Sequence, residues 1–421
     1  MAATSASGST NGGGGGAAGS SGANGGAGGG GAGGGGGANP GLPAPAVSYW
    51  DFGDERNDEA HDIELDASEN VYVAGITQSA LNGPLAGTYD VYVRKYDASG
   101  NVLWTQQWGK RGYNNFRGLA VEASGNFYVA GDMTDFSDAT NYYVNKYDPS
   151  GTLLRTQVTT SRTNAIALDA NGNLYVADHA ADGPITSTSV PVSLRKYDAN
   201  GVTQWSAHFG TPGIESAADI AVDASGNVYV ASDTLGTVEN ANTGKYDGLL
   251  YKFDAAGTLL WTQHFADPSE DAVGGVAVDA LGNVYVAGHT DGALGGANAG
   301  EYDAFIRKYD SDGQVLWTKQ FGTSVGDLIW TIRLDTLGNA YVAGPTSGAL
   351  AGPLPPPPSY NAFVRKYDPN GAVQWTQQCS ALYTSTLYAL AIAASGNVYG
   401  AGVVYSAQID ENALVVKLEA R

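Results

Sequence analysis

Asp58, Glu215, Asp271 and Asp327 hold equivalent places in a repeating chain, and Asn114 fills the same place in a further copy. Carboxylates and an amide are hard oxygen ligands of the kind Ca2+ takes. Brought close together, they would also raise one another's pKa, which is how acid–base pairs arise. Held apart, they would form no more than a solvated acidic rim. More acids crowd the same connections, namely Asp54, Glu55 and Glu59, then Asp267 and Glu270. The outcome depends on whether the elements carrying these residues bring them to one point.

Other chemistry finds less support. Cys379 is the single cysteine, which excludes an intrachain disulfide, cysteine zinc sites and iron–sulfur clusters. No two histidines have metal-ligand spacing, and no G-x-S-x-G elbow has triad context. The D-x-x-G-N segments lack the ligand spacing of a calcium loop and read as hairpin turns. A net charge of −21 and a pI near 4.4 argue against nucleic acid and anionic membrane as partners. No apolar stretch is long enough to span a bilayer.

Residues 1–46 are almost all Gly, Ala, Ser and Asn. Such a chain has no apolar surface to offset its ordering entropy, so a disordered tether is expected. No charged and apolar leader of the export type precedes it. Residues 47–421 carry seven copies of one unit, with cores at 65–75, 121–131, 168–178, 222–232, 278–288, 334–344 and 392–402. Tyr72, Tyr128, Tyr175, Tyr229, Tyr285, Tyr341 and Tyr399 mark one slot. Each unit reads as four short strands: IAVD, VYVAG, AFIRKYD and VLWTKQFG are typical, with D-x-x-G turns after the first and third. No stretch has helical periodicity.

Four-stranded units repeated radially close into a propeller and remove exposed sheet edges. The seventh unit stops after its third strand, while 47–53 is an orphan piece resembling a fourth. The expected fold is therefore all-β: a seven-bladed β-propeller of four-stranded antiparallel blades, closed by the N-terminal strand completing the last blade.

Two further slots invite functional readings. Trp104, Trp205, Trp261, Trp317 and Trp375 could form a stacking ladder, but blade-to-blade packing is the expected role. Lys95, Lys146, Lys196, Lys252, Lys308, Lys366 and Lys417 could ring an anion, but pairing with turn aspartates is expected. Local departures are Glu69 for a turn glycine and Ala393 for a turn aspartate. Arg155 stands for Trp in a unit read as the third and expected to be less regular.

The D-x-x-G-N-x-Y-V-A-G core and the D-A-F-V-x-K-Y-D-x-x-G-x-x-x-W stretch resemble the SBBP family, the β-propeller repeat proteins of bacteria. That resemblance implies an exported or cell-surface chain and supplies no catalytic residues. Tight turns should occupy one face of the ring. The longer connections and the loops after second strands, such as 77–90, 290–303 and the polyproline run at 353–358, should occupy the other. Function is expected on this loop face, around the central channel. The first expectation is a non-catalytic binding or structural module for a glycan, peptide or protein, and a monomer. The alternative is a metal-dependent hydrolase or lyase with Asp58, Glu215, Asp271 and Asp327 at an acidic channel mouth. A quinoprotein-like enzyme is a narrower version, suggested by DASGNVLW at 97–104.

Overall fold

The computed structural model describes residues 45–53, 56–135, 140–159, 161–179, 192–211, 215–235, 246–265, 269–351, 360–379, 384–405 and 411–420. The expected tether, 1–46, falls almost wholly outside them, as do Asp54, Glu55, Asp267 and the polyproline run. Twenty-eight strands form seven four-stranded antiparallel sheets. Blades 1 to 6 take consecutive strands, from β2 (Asp58–Leu65) through β5 (Val102–Trp108) up to β22 (Thr331–Leu334) through β25 (Val373–Gln378). Blade 7 joins β26 (Ser385–Ile392), β27 (Val398–Tyr405) and β28 (Glu411–Leu418) to β1 (Val47–Phe52). The pairing runs from Val47 against Leu418 to Phe52 against Ala413, so the N-terminal strand closes the ring as expected.

The turn chemistry explains each hairpin. In blade 4, Asp223 Oδ1 accepts the amides of Ser225 and Asn227 at 2.9 Å each, and its Oδ2 accepts Asn227 Nδ2 at 2.7 Å. Gly226 then takes a φ of 82°, which glycine adopts without penalty. The repeated tyrosine and lysine complete this unit. All seven lysines lie over the ring of their own blade's tyrosine, for example Lys308 at 4.6 Å from Tyr285. Five pair with the acid of the first turn, as Lys95 with Asp66 at 3.4 Å. The lysine slot is therefore a folding device.

The core lies between blades. Seven apolar clusters each join two neighbouring blades, so every blade is stabilised by two partners. Burying one such aromatic side chain contributes about 1.5–3 kcal/mol. The tryptophans pack here too. Trp205 Nε1 donates to Ala255 O of the next blade at 3.0 Å, and Trp104 to Pro149 O at 3.1 Å.

Arg155 corrects one expectation. It lies on β9 (Leu153–Thr159), the outer strand of the second blade, whose four strands are all present. Its Nη1 donates to Ala199 O at 3.2 Å, replacing the indole donor and keeping the blade regular.

Candidate functional site

The first strand of each blade is innermost, and these seven strands pack against one another around the axis. Six carry a β-bulge at the same place: between Ala60 and Asp62, Phe116 and Gly118, Thr163 and Ala165, Ala217 and Asp219, Val273 and Gly275, and Leu387 and Ala389. In the sixth blade the five residues from Asp327 to Thr331 face the four from Thr346 to Ala343, the same count of one extra. A bulge re-aims one side chain. The residues it frees are His61, Arg117, Asn164, Ala218, Gly274, Trp330 and Tyr388, and all seven line one central cavity of ≈ 480 Å3. Its volume falls within the range of small-molecule sites, about 300–1,000 Å3.

The ring is uneven. His61, Tyr388 and Trp330 occupy three consecutive blades. The His61 imidazole stacks on Tyr388 with centroids 5.4 Å apart and planes 10° apart. Trp330 is 37% exposed and meets His289 edge to face at 5.5 Å. Arg117 and Asn164 follow in blades 2 and 3. Arg117 Nε donates to Asp132 at 2.7 Å, and Asn164 Nδ2 donates to Ser216 Oγ at 3.2 Å. Ala218 and Gly274 complete the circle. Gly274 is required by packing, because a Cβ there would collide with the Ile329 carbonyl oxygen.

A second tier lies nearer the tight turns. Three residues past each bulge, five blades have alanine (Ala120, Ala167, Ala221, Ala277, Ala391), but blade 1 has Glu64 and blade 6 has Arg333. Arg333 Nη1 lies 3.5 Å from Asp219, and Nη2 lies 3.9 Å from Glu64. Asp62 and Asp219 also tie neighbouring blades, accepting the amides of Leu119 at 3.0 Å and Val276 at 3.1 Å. Burial pushes the Asp62 carboxyl up to about 6 and Glu64 up to about 7, and raises Asp219. Burial opposes the Arg333 charge, but Asp219, Glu64 and Asp62 hold it protonated.

At the seam between blades 7 and 1, His61 Nε2 lies 3.1 Å from Glu59. The His61 contact lowers the Glu59 carboxyl, whereas burial raises Glu411, its hydrogen-bonded neighbour. Two carboxyls driven apart in this way have the character of an acid–base pair.

The acids singled out in the sequence occupy other positions. Asp58, Glu215, Asp271 and Asp327 are fully buried, and none lines the cavity. Each stands opposite a threonine of its own blade: Thr77, Thr234, Thr290 and Thr346. Asp58 accepts the hydroxyls of Thr77 and Ser79. Glu215 accepts the Thr211 amide and the Ser232 hydroxyl, both at 2.8 Å. Asp327 accepts the Thr323 amide at 2.6 Å and the Thr346 hydroxyl. Asp271 donates its own amide to Tyr246 O at 2.8 Å. Asn114 likewise serves its own connection, accepting the Lys110 amide at 2.9 Å. Among the described residues, no three His, Cys, Asp or Glu side chains are gathered as a metal ion requires. The recurrence of the slot follows from how each blade connection folds. The cavity-lining residues left the opposite signal: three positions past the acid slot, seven repeats carry seven different residue types.

A closed all-β propeller with a polar central channel is the class these features define. Residues 260–296 match the family model of the SBBP β-propeller repeat, and this match and the seven-bladed fold together support an SBBP-type β-propeller. It is 24% identical over 377 residues to regulatory protein FlaEY of Caulobacter vibrioides, covering 74% of this chain and 39% of that protein. The chain thus spans well under half the length of that relative. Sqt1 from Chaetomium thermophilum shares the fold at a TM-score of 0.50 and 12% identity, covering 90% of this chain and 99% of that one. A puromycin hydrolase mutant also aligns at a TM-score of 0.50 and 12% identity, covering 83% of this chain and 51% of that one. Among the described residues no helix is long and apolar enough to cross a membrane.

Proposed function

We propose that this chain is a non-catalytic recognition module that binds its ligand in the central channel. The observation that carries the reading is the bulge ring. Folding asks for an extra residue at each of these seven positions, but it does not ask for His, Arg, Asn, Trp and Tyr in them. Where packing repeats, the residues repeat; here they diverge while facing one cavity. Export to the cell surface, with the Gly-rich segment as a spacer, belongs to the same proposal.

The test is a thermal-shift screen of small polar compounds on the wild type and on Ala218→Trp, which fills the open side of the ring. A compound at a hundredfold excess over Kd stabilises by about 2.7 kcal/mol. The shift should vanish in Ala218→Trp. A ligand that binds both proteins equally would overturn the channel as the site. Melting in EDTA and then in millimolar Ca2+ tests a cation at Asp58, Glu215, Asp271 and Asp327. The uptake of the Asp58, Glu215 and Asp327 carboxylates by their own blades argues for no shift. A second reading, acid–base catalysis, has one observation in its favour, the Glu59–Glu411 pair beside His61. Chemical conversion of a bound ligand, lost in Glu411→Gln, would establish it.

A further inference from the structure

We infer that the ligand of this channel is a neutral saccharide, held by one or two sugar rings. The inference rests on the channel being the binding site and names what that site is built to take. A sugar ring has two kinds of surface. Its C–H faces are apolar and lie well against aromatic side chains, while its edge is a row of hydroxyls that both donate and accept.

The ring of bulge residues divides in the same way. Trp330, Tyr388 and His61 line the cavity from blades 6, 7 and 1, with His61 stacked on Tyr388. Arg117 and Asn164 supply donors in blades 2 and 3, and Ala218 stays small and leaves room beside them. Below this ring Glu64 and Asp219 present acceptor oxygens next to the Arg333 guanidinium, a fork of five N–H donors. The ion-pair contacts within this tier, 3.5 and 3.9 Å, are longer than tight hydrogen bonds, and the guanidinium donates a normal hydrogen bond from Nη1 to Ile332 O at 3.0 Å. Donors and acceptors therefore coexist in one cavity with capacity left for a ligand.

The charges select against the other ligand classes. Asp62, Glu64 and Asp219 outnumber Arg333 three to one at the lower tier, and the chain carries a net −21, so anions such as phosphates or uronates are repelled. An alkylammonium ion would compete with Arg333, which already sits among the carboxylates.

The experiment uses the full chain and a fixed panel: cellobiose, maltose, lactose and chitobiose, with galacturonic acid and spermidine as the charged classes. Binding is followed by calorimetry and by tryptophan fluorescence, since Trp330 lines the cavity. At least one neutral disaccharide should bind with a Kd of ~10 µM to 1 mM, and Trp330→Ala or Tyr388→Ala should weaken it by about tenfold or more. Trp375→Ala, remote from the channel, should leave the affinity unchanged and guards against a general loss of folding. The polysaccharide matching the best disaccharide, assayed by co-sedimentation, separates a chain-end ligand from a free sugar. Binding of galacturonic acid or spermidine alone, abolished by Trp330→Ala, would overturn the saccharide and keep the channel. Saccharide binding indifferent to Trp330→Ala and Tyr388→Ala would overturn the channel itself. No binding by any neutral sugar of the panel would overturn the saccharide.

Discussion

Two departures from the repeat answer each other across the ring seam, and a double-mutant cycle should detect it. Glu69 replaces the turn glycine of blade 1 and sits at a φ of 58°, the one non-glycine with positive φ among the described residues. Ala393 replaces the turn aspartate of blade 7. In the five blades that have aspartate there, it accepts the amide two residues on, as Asp66 does from Ser68 at 2.9 Å. In blade 7 the amide two residues on belongs to Ser395, and it donates instead to Glu69 Oε1 at 2.7 Å, with the Ser395 hydroxyl on Oε2 at 2.8 Å. The carboxylate missing from one blade is thus supplied by its neighbour. Two exposed hydrogen bonds to a charged group contribute about 1–3 kcal/mol, and the left-handed backbone at Glu69 costs about 1–2 kcal/mol. Glu69→Gly should therefore cost about 1 kcal/mol or less, because lost bonds and released strain nearly cancel. Glu69→Ala keeps the strain without the bonds and should cost about 1 kcal/mol more than glycine does. With Ala393→Asp present, the introduced carboxylate can take the Ser395 amide, and Glu69→Gly should then stabilise. Urea unfolding of the four proteins should yield a coupling of about 1–2 kcal/mol. Effects that add within about 0.5 kcal/mol would refute the reasoning.

Arg333→Met leaves three carboxylates facing one another and should destabilise by about 3–5 kcal/mol near pH 8. Much of the loss should return near pH 5, where those carboxyls protonate, as urea midpoints at the two pH values would report. In the wild type, Asp62 at about 6, and Glu64 and Asp233 at about 7, lie above their unfolded values. Their contribution is therefore full below about pH 4 and is lost as pH rises through about 6–7. Melting temperature should fall over that window, and Glu64→Gln should flatten the fall. His289, kept neutral by burial with a pKa of about 4, acts in the opposite sense, costing stability as pH drops below about 6.5. Gly282→Ala (φ 80°) meets nothing nearer than Ser311 Cβ at 3.6 Å and should cost about 1–2 kcal/mol of backbone strain. Gly257→Ala (φ 86°) adds a Cβ 2.7 Å from the Trp205 ring and should cost measurably more by the same urea assay.

The fold was legible because each unit repeats its own folding instructions. The aspartate, glycine, tyrosine and lysine of one blade meet inside that blade, so seven copies announce themselves by period alone. The site was harder to read for the converse reason. Asp58, Glu215, Asp271 and Asp327 recur as a folding element, each standing opposite a threonine of its own blade. Glu64 and Arg333 meet across blades that are distant in sequence, and Trp330 lines the same cavity. They sit where copies disagree, and disagreement looks like noise until the bulge aims those positions at the axis. Arg155 stands in for tryptophan because its guanidinium offers the same donor to the next blade, a likeness that residue type conceals.

The seam also sets a clock for synthesis. Val47 and Leu418 pair directly, although about 370 residues separate them. At ~5–20 residues per second, β1 emerges roughly 20–75 s before its partner exists. Throughout that interval blade 1 has an open flank and β1, carrying Val47, Tyr49 and Trp50, is a loose sticky strand. The nascent chain must keep this strand from joining a wrong edge until its last residues arrive. The yield of closed rings therefore depends on the order in which the two parts of the last blade become available.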